Sequence, residues 1–142
     1  IGCAFGCVAA HVVESGILHV GIDLNDVPFS HQNSIMLKGD SVGLCSNGLP
    51  TVETVKQIAE ACGGLSIVFQ DSSHHYAASK REWELYSPLV RPGGLWIADD
   101  ITPAFKIPGE ENGMVEYWDE LPGDKRVYDD LHIGSRIGIV RM

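Results

Sequence analysis

Leu65-Ser66-Ile67-Val68-Phe69-Gln70-Asp71 and Gly94-Leu95-Trp96-Ile97-Ala98-Asp99-Asp100 are the two stretches whose reading decides the fold. Each is a short apolar run closed by acid. Runs this short and this apolar, with a helical pattern between them, predict two buried parallel strands. A strand–helix–strand unit returns right-handed and sets its strands side by side, about 5 Å apart. Asp71, Asp99 and Asp100 then meet at the carboxyl ends of neighbouring strands, where open α/β sheets bind ligands. Crowded carboxylates repel unless one is protonated or a cation neutralises them. An all-oxygen cluster suits a hard divalent ion such as Mg²⁺, so these three acids are the predicted metal ligands. The alternative, that they are turn acids facing water, follows from the turn preference of Asp.

Outward from this unit, the chain of 142 residues is enough for one domain with one core, and 44% hydrophobic with 20% charged residues is ordinary for a globular protein. The net charge of −9 with scattered Lys and Arg argues against a nucleic-acid or anionic-membrane partner, both of which need a basic face. No apolar run reaches membrane length and no signal peptide is visible, which gives a cytoplasmic protein as the expectation. The abrupt opening at Ile1-Gly2-Cys3 suggests that residues precede it. Cys3, Cys7, Cys45 and Cys62 match no zinc spacing and are expected to be buried, reduced thiols.

The rest of the pattern is α/β throughout. A helix is expected over 7–14, ended by Gly16, then strands at 17–22 and 35–39. Thr51 is a plausible N-cap for a helix over 52–62, whose apolar stripe is Val52, Val55, Ala59 and Cys62. The helix from Tyr76 places Trp83, Tyr86 and Leu89 on one face, and Pro88 ends or bends it. Arg91-Pro92-Gly93-Gly94 reads as a turn into a strand over 95–98. A short acidic helix over 113–121 follows a loop over 101–112. Strands at 127–133 and 136–142, split by Gly134-Ser135, form a hairpin. The prediction is a doubly wound, mostly parallel sheet closed by an antiparallel hairpin.

Further chemistry lies at other strand ends. Gly2-x-x-x-Gly6 ahead of a helix is a turn that lets a backbone approach a nucleotide, although it lacks the dinucleotide spacing Gly-x-Gly-x-x-Gly, which disfavours a dehydrogenase. Asp23 can accept from ribose hydroxyls, and Asp40 from an adenine amino group. Turn formation is the competing use of both. His74, three residues past Asp71, can take a proton from a substrate hydroxyl, since imidazole titrates near neutrality; the competing use is to cap the next helix. His75 is expected to point away. His11, His19, His31 and His132 suggest core or surface roles.

On these residues the chain resembles class I S-adenosylmethionine-dependent methyltransferases, in particular the metal-dependent small-molecule O-methyltransferases related to cephalosporin-hydroxylase-type proteins and macrolide-sugar O-methyltransferases. Asp71-Ser72-Ser73-His74 resembles the family's Asp-x-x-His segment. Pro92-Gly93-Gly94 through Asp99-Asp100 resembles its Pro-Gly-Gly strand ending in an acid pair. Ile1-Gly2-Cys3-Ala4-Phe5-Gly6 is similar to the latter part of the first cofactor motif, and Gly39-Asp40-Ser41 to the segment beside adenine. The resemblance implies a Rossmann-like methyltransferase domain over residues 1–142, lacking its amino-terminal part. It also implies S-adenosylmethionine as cofactor, held by Gly2, Ala4, Gly6, Asp23, Asp40 and Ser41. Mg²⁺ or another divalent cation would sit on Asp71, Asp99 and Asp100, His74 would be the base, and the substrate a small-molecule hydroxyl. Two departures stand out. The family's first strand has no counterpart here, and Asp99 stands where relatives often carry Glu. Alternatives are an oxygenase with a two-His, one-carboxylate iron site and a non-catalytic cofactor-binding fragment. Homo-oligomerisation stays open, since the amino-terminal part often mediates assembly in similar enzymes. The loop 101–112 and the acidic stretch 109–120 border the expected substrate pocket, with Trp118 and Phe105 as candidate contacts to an apolar substrate and packing on the sheet the main use expected for Trp118.

Overall fold

The computed structural model describes Ile1 and residues 7–102, 113–129 and 135–142. The chain divides into two compact units, Ile1–Ile58 and Ala59–Met142. The first carries α1 (Cys7–Glu14), β1 (His19–Asp23) and β2 (Ser34–Lys38). Helix α1 stops where the backbone turns left-handed at Gly16, with φ of 76°, a conformation glycine adopts without a Cβ penalty. β1 and β2 run parallel, pairing Val20 with Ile35 and Asp23 with Lys38. Both strands are a residue or two displaced from the sequence expectation, within the usual fraying of strand ends.

Helix α2 (Thr51–Cys62) carries its buried residues at steps of four, Thr51, Val55 and Ala59. Two expectations are corrected here. Thr51 lies inside the first turn and is fully buried, its hydroxyl 3.4 Å from Cys45 Sγ. Cys62 is exposed and Cys45 is buried. The stripe follows the four-residue step from Thr51 and has left the buried side by the last turn. Cys3 lies outside the described residues.

The second unit is built on a four-stranded sheet ordered β3-β4-β6-β5. β3 (Leu65–Gln70) and β4 (Val90–Ala98) are parallel, as the apolar runs predict, with Val68 opposite Trp96 and Gln70 opposite Ala98. β6 (Arg136–Arg141) runs antiparallel to both β4 and β5 (Asp124–Asp129), giving the closing hairpin. β5 begins at Asp124 rather than at Val127, and residues 130–134 lie outside the described set.

Two features depart from the expectation for this sheet. β3 is an edge of the four-stranded ladder, so Ile67 is half exposed and only the end of the strand is buried. The residues expected as a turn, 91–94, belong to β4 as a bulge: the ladder pairs Leu65 with Val90 and then Ile67 with Leu95. Gly93 takes φ of 79° there. Gly94 lies so close to Val90 and to the Ser66 carbonyl that a Cβ would collide.

Helix α3 (Tyr76–Tyr86) runs into a 3-10 turn at Ser87–Leu89, with Pro88 where it was expected to stop the helix. Its buried face is Ser79, Glu82 and Tyr86. Trp83 is half-buried and meets Trp96 of β4 edge to face, ring centres 5.0 Å apart. Trp96 is fully buried, and truncating such a side chain to alanine costs roughly 3–5 kcal/mol. Helix α4 (Gly113–Glu120) buries Met114, Tyr117 and Trp118. Trp118 packs over Gly138 of β6, where a Cβ would run into the indole, so its expected packing role holds. Phe105 lies outside the described residues. No helix among those described is long and apolar enough to cross a membrane.

Candidate functional site

Parallel pairing does the first part of the work at β3 and β4. The ladder continues one step beyond the paired strands, the Asp99 N–H donating to the Gln70 carbonyl at 3.0 Å. Asp71 and Asp99 therefore leave adjacent strands at the same level. The sequence reading of these acids as neighbours at one carboxyl edge holds within this unit.

The side chains then gather around one imidazole. His74 Nε2 lies 3.3 Å from Asp71 Oδ1, and His74 Nδ1 lies 3.8 Å from Asp100 Oδ2. His74 and Asp100 are the only non-glycine residues with positive φ among the described residues, at 58° and 53°. Left-handed backbone at such residues is held only where the surroundings fix it, and it concentrates at functional sites. Asp100 is fixed from behind: Ser135 Oγ donates to its Oδ1, and the next residue, Ile101, donates its N–H to the Arg136 carbonyl at 3.0 Å. The side chains of His74 and Asp100 are 17% and 15% exposed, against 38% for Asp71, so the cluster has a sheltered side and an open one.

Charge follows this geometry. The hydrogen bond to Asp71 raises the His74 pKa above its usual value, and the nearby charges of Asp100, Asp71 and Asp99 add to the rise against an opposing effect of burial. Burial raises the Asp99 pKa, and the Asp100 and Asp71 carboxylates push the same way, against a lowering backbone hydrogen bond and the His74 charge. His74 thus lies between two carboxylates, with the third, Asp99, close by. Among the described residues no three His, Cys, Asp or Glu side chains converge on a single coordination point. The donor set still fits a hard divalent cation by its chemistry: carboxylate oxygens gathered where burial first, and neighbouring carboxylates second, raise the proton affinity of Asp99.

His75, not His74, holds the N-cap position of α3; its backbone carbonyl accepts from Ser79 at 2.9 Å and its side chain makes no capping bond. His74 is free of that duty and lies on the acids instead.

At the first unit the strand-end acids have a different environment. Asp23 Oδ1 accepts the Asn25 N–H at 2.8 Å, and Asp40 Oδ1 accepts the Val42 N–H at 2.9 Å. Both are turn bonds to the backbone two residues on. The Gly39 N–H donates to the Asp23 carbonyl at 2.8 Å, which brings the end of β1 beside the Asp40-Ser41 segment. Gly2, Ala4 and Gly6 lie outside the described residues.

Sequence reasoning missed the residues that support the cluster. Gln70 and Ser72, on either side of Asp71, both donate to Glu82 Oε2 at 2.7 Å, and Gln70 Nε2 also donates to the Ser79 carbonyl at 3.1 Å. Glu82 and Ser79 share the buried face of α3 with Tyr86. A search for apolar periodicity passes over two polar residues at helical spacing. Ser135 was also missed, being read only as part of a hairpin turn.

No family model and no curated protein matches the chain. Solved structures do. The chain is similar to the MycE methyltransferase from the mycinamycin biosynthetic pathway in complex with Mg, SAH and mycinamycin VI, with a TM-score of 0.55 and 21% identity over 86% of this chain and 36% of that one. It is likewise similar to the same enzyme with Mg and SAH alone, with a TM-score of 0.51 and 21% identity over the same shares. That likeness shows the fold. It is a Rossmann-like α/β fold, and the chain spans about a third of the MycE length, 36%.

Proposed function

We propose that this chain transfers a methyl group from S-adenosylmethionine to a hydroxyl of a small molecule, with a divalent cation such as Mg²⁺ assisting. The observation that carries the reading is the cluster of Asp71, His74 and Asp100, with Asp99 beside it, at the carboxyl edge of β3 and β4. Strain, partial burial and crowded charge coincide there, in a fold shared with an enzyme solved with Mg and SAH. In this reading residues 1–142 act as one S-adenosylmethionine-binding domain. Asp23, Asp40 and Ser41, with Gly2, Ala4 and Gly6, hold the cofactor. Asp71, Asp99 and Asp100 hold the cation. When bound, a divalent cation supplies stabilisation of the negative charge that develops on a substrate oxygen.

His74 takes the hydroxyl proton. As the oxygen–methyl bond forms, the sulfur–methyl bond breaks and the electron pair stays on sulfur, leaving S-adenosylhomocysteine. Positioning of the hydroxyl in line with that bond provides much of the rate. No observation favours the oxygenase alternative, which needs His75 beside His74; His75 is the N-cap residue of α3.

Calorimetry with S-adenosylmethionine, followed by mass-spectrometric detection of methyl transfer to a panel of vicinal diols and catechols, tests the reading. Binding and magnesium-dependent methylation are the expected result. Full turnover in excess chelator would remove the metal from the mechanism, and absence of cofactor binding would overturn the whole assignment.

A further inference from the structure

Glu82 is 2% exposed in the core of the second unit. Burying a carboxylate costs stability unless hydrogen bonds answer it. Two of the bonds that answer it come from residues directly before and after Asp71. Gln70, the fully buried last residue of β3, donates its amide at 2.7 Å; Ser72, the first residue beyond Asp71, donates its hydroxyl at 2.7 Å. Gln70 and Ser72 are thus both fixed against α3, with Asp71 held between them. The same helix begins just after His74, whose left-handed backbone must be held by its surroundings. A carboxylate on the second turn of α3 therefore ties both ends of the 71–75 connection together.

We propose that Glu82 is a positioning residue that sets Asp71, and through the short connection His74, in the geometry the cluster needs. This rests on the proposed function for its consequence in cation binding, but the bracing is a property of the protein alone. Glu82 acts through Gln70 and Ser72, the residues on either side of Asp71.

The test uses the full chain with Glu82→Gln, and with Ser72→Ala as the variant least able to disturb folding. Two quantities are read: amide hydrogen exchange across residues 71–75 without metal, and the affinity for Mn²⁺ alone by calorimetry. Both variants should speed exchange in this segment while leaving that of β4 and β6 unchanged. Glu82→Gln should weaken Mn²⁺ binding about tenfold, in line with the loss of groups that orient metal ligands, and Ser72→Ala by less. In turnover assays the loss should appear chiefly in the metal concentration required, with a smaller fall in the rate at saturating metal through His74. A merely structural role would lower the melting temperature and leave metal affinity unmoved. Unchanged exchange at 71–75 in both variants overturns the proposal. A wild-type chain that binds no Mn²⁺ is a failure of the proposed function, visible before any variant is made, and leaves the exchange result to decide the bracing.

Discussion

At the carboxyl edge of β1 and β2, Asp23 and Asp40 are each answered by a backbone N–H two residues further on. At the carboxyl edge of β3 and β4, Asp71 and Asp100 share one imidazole, three residues from Asp71 but far in sequence from Asp100, and Asp100 also accepts from the distant Ser135 hydroxyl, on backbone that includes two left-handed residues. Both edges look alike as sequence: an apolar strand, then aspartate. They differ in what the acid does locally. A turn acid stabilises its own loop whether or not a ligand arrives. An acid gathered with others, where burial and then neighbouring carboxylates raise the Asp99 pKa, gains little local structure for the repulsion it creates. The second arrangement therefore points more strongly to a ligand than the first.

The contrast can be broken at several points. Removing an acid of the second edge should have the largest effect: Asp71→Ala and Asp100→Ala should each lower magnesium-dependent methyl transfer by more than about a hundredfold, exceeding the loss typical of groups one step removed from a metal. Turnover within tenfold of wild type in either variant would reduce that edge to the status of the first. His74→Ala should lower the rate by about a hundredfold, the lower range for a lost general base, while calorimetry shows S-adenosylmethionine still bound.

At the first edge, Asp23→Asn gives a sharper result than alanine. Asparagine keeps a carbonyl oxygen to accept the Asn25 N–H, so the turn survives, while the charge available to ribose hydroxyls is gone. Cofactor affinity should fall about tenfold, as expected for loss of a charge-assisted hydrogen bond, with no change in thermal stability. Unchanged affinity would leave Asp23 as a turn acid only.

The smallest effect concerns pH. Because Asp71 raises the folded-state pKa of His74 above its unfolded value, the stabilisation from this contact is full below about pH 6.5 and is lost as pH rises through the higher folded value. In metal-free protein, the melting-temperature advantage of wild type over His74→Ala should shrink across that window. An advantage that grows with pH would contradict the contact.

Much of this was legible in sequence because it depends on local patterns. The runs ending at Gln70 and Ala98 specify β3 and β4, Pro88 marks the end of α3, and parallel pairing follows from the helix between the strands. What escaped depends on partners distant in sequence. Nothing near Leu65 reveals that β3 forms a sheet edge with Ile67 half exposed. Glu82 looks like a surface charge on an amphipathic helix until Gln70 and Ser72 are seen to reach it. The bulge at 91–94 reads as a turn because its glycines are the same residues a turn would use. Asp23 and Asp40 illustrate the converse: their placement at strand ends was read correctly, yet placement does not distinguish a loop-forming carboxylate from one reserved for a ligand.

The single hydrogen bond from Asp99 N–H to the Gln70 carbonyl has a consequence for how such a protein can change. It carries the rung spacing of the ladder one step past the last paired residues, so the offset between the two acidic ends is a dimension of the backbone framework. Insertions or substitutions farther along either connection can alter what the neighbourhood accepts without altering that offset. Diversification of the outer loops and retention of the acid spacing are mechanically independent.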